Sequence, residues 1–142
     1  MPMNMWRRFL KAEQIQVKTH QREELIDITR EVQNFVAKSG VDEGILYLFV
    51  PHTTGAVTIN ENADPDVKRD ILYKLNKEIP QNDGYHHGEG NSDAHVKSSL
   101  VGPSLQIIIT GGQPLLGTWQ GVYFCEFDGP RSRKLYLKAV AG

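Results

Sequence analysis

Apolar and polar residues alternate from Trp6 to Thr19, most clearly at Ile15 and Val17, which predicts a strand or hairpin arm. The spacing then changes. Ile28, Val32, Phe35 and Val36 fall at i, i+4, i+7 and i+8, so a helix is predicted from about Asp27 to Ser39, with Gly40 placed to close it. Ile45 to Val50 is a continuous apolar run rich in β-branched and aromatic residues, the pattern of a central strand covered on both faces, and Pro51 ends it by lacking an N–H. Ala56 to Asn60 resumes as strand. Asp64, Pro65 and Asp66 then open a second helix as cap, first position and dipole partner; Val67, Ile71, Leu75 and Ile79 mark its buried stripe and Pro80 stops it.

From Tyr85 to Gly102 the apolar pattern lapses until Val96. The first half reads as a loop, and Asp93 reads as the N-cap of a short helix over Ala94 to Val101 that Gly102-Pro103 ends. Leu105 to Thr110 is a further buried strand, Gly111 to Pro114 a turn, Val122 to Phe127 a strand, Asp128-Gly129-Pro130 a turn, and Lys134 to Val140 a final strand. Two main helices and a short one among six or more strands joined by short turns predict a single α+β domain spanning residues 1–142. Its sheets are expected to be twisted, largely antiparallel and sandwich-like.

Composition narrows the function classes. Hydrophobic residues at 39% and charged residues at 23% suit a globular domain, and a net charge of -1 gives no field for nucleic acid or an anionic membrane. The single cysteine, Cys125, cannot form an internal disulfide, and it falls mid-strand between Phe124 and Phe127 as a buried inert thiol. With no signal-peptide pattern and no apolar run of spanning length, the expected location is cytoplasmic.

Three of the five histidines lie in the polar loop and the helix start after it. His52, at the end of a predicted strand, with His87 and His95 could supply three imidazoles and leave one coordination position open, the arrangement of catalytic zinc sites. Seven residues between His87 and His95 match no short zinc signature, so hydrogen-bonded surface histidines are the alternative reading. His95 in a first helical turn is disfavoured from protonation by the helix dipole. Glu61, Glu89 and Asp93 are candidates to orient an imidazole or move a proton. Gly88 and Gly90 before a helix N-terminus suggest a phosphate site, as do Arg131 and Arg133 beside Gly129-Pro130, although neither is a P-loop and a basic cluster in a turn is more often solvated surface. Trp119 reads either as a stacking platform or, more in keeping with base rates, as a core anchor.

The runs His52 to Asp66, Glu89 to Leu100 and Gly117 to Glu126, in that order, resemble the YjbQ family, and the likeness extends over nearly the entire chain. The resemblance implies a compact α+β fold assembled as a homotrimer, with His52, His87 and His95 as the metal site and His86 at a variable position. It also implies an activity label, secondary thiamine-phosphate synthase. Three imidazoles suit zinc, whereas displacement of pyrophosphate would call for magnesium on oxygen ligands. The expected function is therefore a metal-dependent hydrolase or transferase acting on a small phosphorylated molecule. His52, His87 and His95 would be its ligands, Glu61 or Asp93 its proton shuttle, and Asn60, Glu89, Asn91, Trp119, Gln120 and Arg131 its substrate contacts. A non-catalytic metal or small-ligand binding protein, or an accessory subunit, is the competing class.

Overall fold

A computed structural model describes residues 11–142. The chain runs β1 (Glu13–Lys18), β2 (Glu24–Asp27), α1 (Thr29–Ser39), β3 (Gly44–Phe49), β4 (Gly55–Glu61), α2 (Pro65–Glu78), α3 (Ser92–Val101), β5 (Ser104–Thr110), β6 (Gln113–Pro114), β7 (Gln120–Glu126) and β8 (Ser132–Ala141). The N-terminal part of the arm expected from Trp6 lies outside the described residues.

Two antiparallel sheets form, one of five strands in the order β1-β8-β3-β5-β6 and one of three in the order β2-β7-β4. The main core lies between them. Leu46, Leu48, Ile107, Ile109, Leu135 and Leu137 of the larger sheet meet Val57, Val122 and Phe124 of the smaller one, together with Val32, Phe35 and Val36 of α1. Val32 and Val36 are fully buried and contribute roughly 1.5–3 kcal/mol each. Gly40 closes α1 with φ 73°, as its position suggested. A second apolar layer, on the far face of the small sheet, joins Ala56, Tyr123, Cys125 and Phe127 to Ala94 of α3, with Ile71, Leu72 and Leu75 of α2 packed at its edge.

The layering overturns several expectations. The strand covered on both faces is β7, not β3: Val122 and Phe124 enter one core, Tyr123 and Cys125 the other. β3 is central in its sheet, yet Tyr47 and Phe49 stand exposed on its outer face beside Ile108 and Val140. A run of apolar residues does not distinguish the two cases, because periodicity is silent once both faces are apolar. The α2 stripe reaches the body only partially, leaving no residue of that helix buried. Glu24–Asp27, unassigned in the sequence pattern up to the helix expected from about Asp27, is a separate strand whose Leu25 is buried against β7. Gln113–Pro114, expected in a turn, adds a short edge to β5. Trp119 is not a core anchor: 63% of it is exposed.

Candidate functional site

β3 leaves the large sheet at Val50, whose N–H donates to the Pro103 carbonyl, and the chain crosses to the small sheet at Gly55. Extending the β3–β8 register, in which Phe49 faces Tyr136, puts Pro51 opposite Lys134. The strand's backbone has departed by then, and the Lys134 amide donates instead to His52 Nε2 at 2.9 Å. That bond assigns the tautomer: with Nε2 accepting, neutral His52 carries its proton on Nδ1.

The turn between β7 and β8 supplies the opposite wall. Gly129 is required there, since a Cβ would lie 2.3 Å from the Gln21 carbonyl oxygen. Behind the turn, fully buried Glu126 accepts from Arg133 through both Nε, at 2.9 Å, and Nη2. It also takes the Thr19 hydroxyl at 2.7 Å and the Asp128 amide at 3.1 Å. Arg133 Nη2 further donates to Thr54 Oγ1 at 2.8 Å, tying the His52 loop to β8. At the surface Asp128 accepts from Arg131 Nη2 at 2.9 Å and from Asn91 Nδ2 at 2.9 Å.

The third wall is the start of α3. Its N-cap is Asn91, whose side chain is turned to Asp128, and not Asp93 as expected. Asp93 lies one residue inside the helix and is fully buried, bonded by Lys97 Nζ at 2.8 Å and by Arg22 at 3.0 Å. Burial alone would raise its carboxyl pKa, but the bonds from Arg22 and Lys97 outweigh that and hold it below the usual carboxylate range. Lys97, itself fully buried, also reaches Asn76 at 2.6 Å and Glu23 at 3.2 Å, so this network docks α2 and the β1–β2 turn onto α3.

Between these walls lies a cleft of about 350 Å³ to which His52, Glu89, Asn91, His95, Asp128 and Arg131 contribute. His52 and His95 also wall an adjoining compartment of about 300 Å³ with Thr53, Ser98 and Pro103. Of the expected site residues, the fold therefore gathers His52, His95, Glu89, Asn91 and Arg131. His87 is next to His95, ring centres 5.5 Å apart and edge to face, with Nδ1 3.1 Å from Ser92 Oγ and Nε2 3.8 Å from Glu89 Oε1. It opens onto a different hollow, formed by its own loop.

The other candidates are elsewhere. Gly55 pairs with Glu126 at the site end of β4–β7, while Asn60 and Glu61 pair with Gly121 and Gln120 at the other end. Six residues separate the ends of β4, about 20 Å of extended chain. Asn60, Glu61, Trp119 and Gln120 thus lie away from the cleft of their own chain. Asp128, expected only as a turn residue, gains a role from the packing of that turn against the start of α3, and Ser98, which no sequence pattern marks, gains one by lining the adjoining compartment.

Among the described residues, no three His, Cys, Asp or Glu side chains are gathered so as to hold one ion. His52 states the obstacle: its Nε2 lone pair is taken by the Lys134 amide and its Nδ1 carries hydrogen. A zinc ion on His52, His87 and His95 would require that bond to break.

Burial lowers the His52 pKa from its ordinary value, and the Arg133 cation lowers it further. The folded state therefore favours neutral His52. Its contribution to stability is complete above about pH 6.5, the ordinary histidine value, and is lost as pH falls through the lowered one. An NMR titration of the imidazole should show a midpoint below the ordinary histidine value.

A profile of the family described as UPF0047 protein YjbQ-like matches residues 13–142. The chain belongs to this family. Its YjbQ-like relatives include UPF0047 protein MJ1081 of Methanocaldococcus jannaschii, 58% identical over 125 residues that cover 88% of this chain and 91% of that protein. UPF0047 protein YugU of Bacillus subtilis is 52% identical over 127 residues, covering 89% and 96%. Among solved structures, a YjbQ/UPF0047 family protein from Clostridium acetobutylicum superimposes with a TM-score of 0.89 at 54% identity, covering 90% of this chain and 99% of that one. A YbjQ-like protein of unknown function from Sulfolobus solfataricus gives 0.89 at 31% identity, covering 93% and 97%. The YjbQ-like fold thus persists while two-thirds of the residues change. No helix among the described residues is long and apolar enough to cross a membrane.

Proposed function

We propose that this protein is an enzyme that transfers or hydrolyses a group on a small phosphorylated molecule, with His95 as its acid–base group and His52 as a fixed hydrogen-bond donor beside it. The observation that carries the reading is the convergence of two imidazoles in different bonding states on one cleft. His52 is locked by the Lys134 amide into the tautomer that donates from Nδ1. His95 makes no side-chain hydrogen bond among the described residues, which leaves it to take a proton from a nucleophile and return it to a leaving group. Arg131, whose Nε and Nη2 bond Asp128, offers its remaining nitrogen at the rim to a phosphate oxygen. Asp93, held ionised by its two cations, serves to fix the helix that presents His95 rather than to carry protons.

The test is binding and turnover over a panel of phosphorylated compounds that includes inorganic phosphate and a pyrimidine diphosphate with a phosphorylated acceptor, the pair that the synthase label implies. Arg131→Ala should weaken phosphate binding about tenfold, the worth of one charge-assisted hydrogen bond. Phosphate retained without turnover on any compound would favour the binding module. Elemental analysis of the isolated protein decides the zinc expectation separately, and zinc at one per chain would mean that His52 gives up the Lys134 amide.

A homotrimer of cytoplasmic location belongs to the same proposal. The support is the bare outer face of the large sheet, where Ile45 pairs laterally with both Ile108 and Val140, and Phe49 with Tyr136. An exposed sheet face carrying large apolar side chains at Tyr47, Phe49, Ile108 and Val140 is suited to interaction; the number three rests on the family resemblance. Phe49→Glu should reduce the particle mass in solution toward that of a single chain, measured by light scattering.

A further inference from the structure

The compartment beside the cleft differs from it in chemistry. No lysine, arginine or carboxylate walls it; His52, Thr53, Gly55, His95, Ser98 and Pro103 do. On α3, His95, Ser98 and Ser99 lie at i, i+3 and i+4 and so share one face. The two serines are used differently. Ser99 Oγ donates to the His95 carbonyl at 2.9 Å, the usual way for a helical serine to satisfy itself. Ser98, only 6% exposed, leaves its buried hydroxyl without any partner, although the same back-bond to its own helix is the ordinary recourse. Buried polar groups are seldom left so, and one on a residue that lines a cavity points to a ligand atom as its partner. Asn91 Oδ1, in the charged cleft on the other side of the imidazoles, is orphaned in the same way. The two residues with unpartnered atoms thus line the two compartments that His52 and His95 share.

We infer that the compartment is a second subsite, which receives the uncharged body of the substrate and recognises in it one neutral hydrogen-bonding group through the Ser98 hydroxyl. This rests on the reading of the charged cleft as the phosphate site and deepens it. The substrate class is a small phosphomonoester whose body is compact and hydroxylated rather than ionic or purely alkyl. Its phosphate lies toward Arg131, its body toward Ser98, and the reacting bond at the two imidazoles between them.

Calorimetric titration of the full chain with three probes tests this: inorganic phosphate, alkyl phosphates of two to four carbons, and the matching terminally hydroxylated alkyl phosphates. At least one hydroxylated probe should bind about tenfold more tightly than its alkyl counterpart, as one neutral hydrogen bond allows. Ser98→Ala should erase that difference and leave inorganic phosphate binding unchanged. Equal binding of the paired probes, or a preference that survives Ser98→Ala, overturns the subsite while leaving the phosphate cleft standing. Inorganic phosphate that fails to bind overturns the cleft reading and the subsite with it. Thermal unfolding provides a second measurement that needs no ligand. Removing an unsatisfied hydroxyl should leave the midpoint of Ser98→Ala unchanged or raised, and a lowered midpoint would show that the hydroxyl has an internal partner and overturn the proposal.

Discussion

Arg133→Met is expected to lower the stability of the folded chain by about 3–5 kcal/mol, the cost of leaving one member of a buried ion pair alone. The substitution keeps the length of the side chain and removes its four donations, two to Glu126 and two to Thr54, at the carbonyl and at Oγ1. Glu126, fully buried, retains only the Thr19 hydroxyl and the Asp128 amide. Against a total stability of roughly 5–15 kcal/mol for a domain of this kind, the loss is large. Urea denaturation followed by circular dichroism would measure it. The double variant Arg133→Met, Glu126→Leu should recover most of the deficit, because two apolar groups of similar size leave no charge unpaired. A double variant no more stable than the single one would show that the pair acts through its geometry and not through desolvation.

His95→Ala is expected to reduce turnover by about a hundred- to ten-thousandfold, the usual contribution of a general acid–base group, while leaving the fold intact. The residue is only partly buried and its ring carries no hydrogen bond among the described residues, so little of the structure depends on it. His52→Ala is the informative partner, since it also frees the Lys134 amide and should cost stability as well as rate. The pH profile separates the two roles. With the His52 pKa lowered by burial and then by Arg133, the rate supported by its neutral form should hold through neutral pH. It should fall only as pH drops through a value below the ordinary histidine range. An acid limb at or above the ordinary value would show that His52 is not the group that titrates.

Much of this site was legible at the level of residue type and hidden at the level of role. The two histidines on the cleft, and Arg131 and Asn91 beside them, stand in motifs that mark themselves by chemistry. Asn60, Glu61, Trp119 and Gln120 stand in equally suggestive motifs, yet the β4–β7 register carries them to the wrong end of the sheet. Nothing in linear spacing separates the two groups. Asp93 shows the same limit locally: an aspartate before a helical pattern reads as a cap, but the buried Lys97 one turn later draws it inside the helix as an ion-pair partner. The cap falls to Asn91.

The sequence by itself determined the α+β class, nearly all the strands, α1 with its Gly40 stop and α2 with its Asp64 cap, because each follows from periodicity and turn chemistry within a few residues. It also determined that Cys125 is inert: mid-strand placement between aromatics buries the thiol, whose pKa is pushed up to about 12. Only the tertiary structure decided which strand lies between two cores, since an apolar run does not say what packs on its second face. Only it decided that His52 serves the Lys134 amide, that Arg133 is spent on Glu126, and that Ser98 lines a cavity with its buried hydroxyl unpartnered. Those outcomes depend on contacts between residues up to 82 positions apart, and a side chain's chemistry is set by whichever neighbours the fold brings to it.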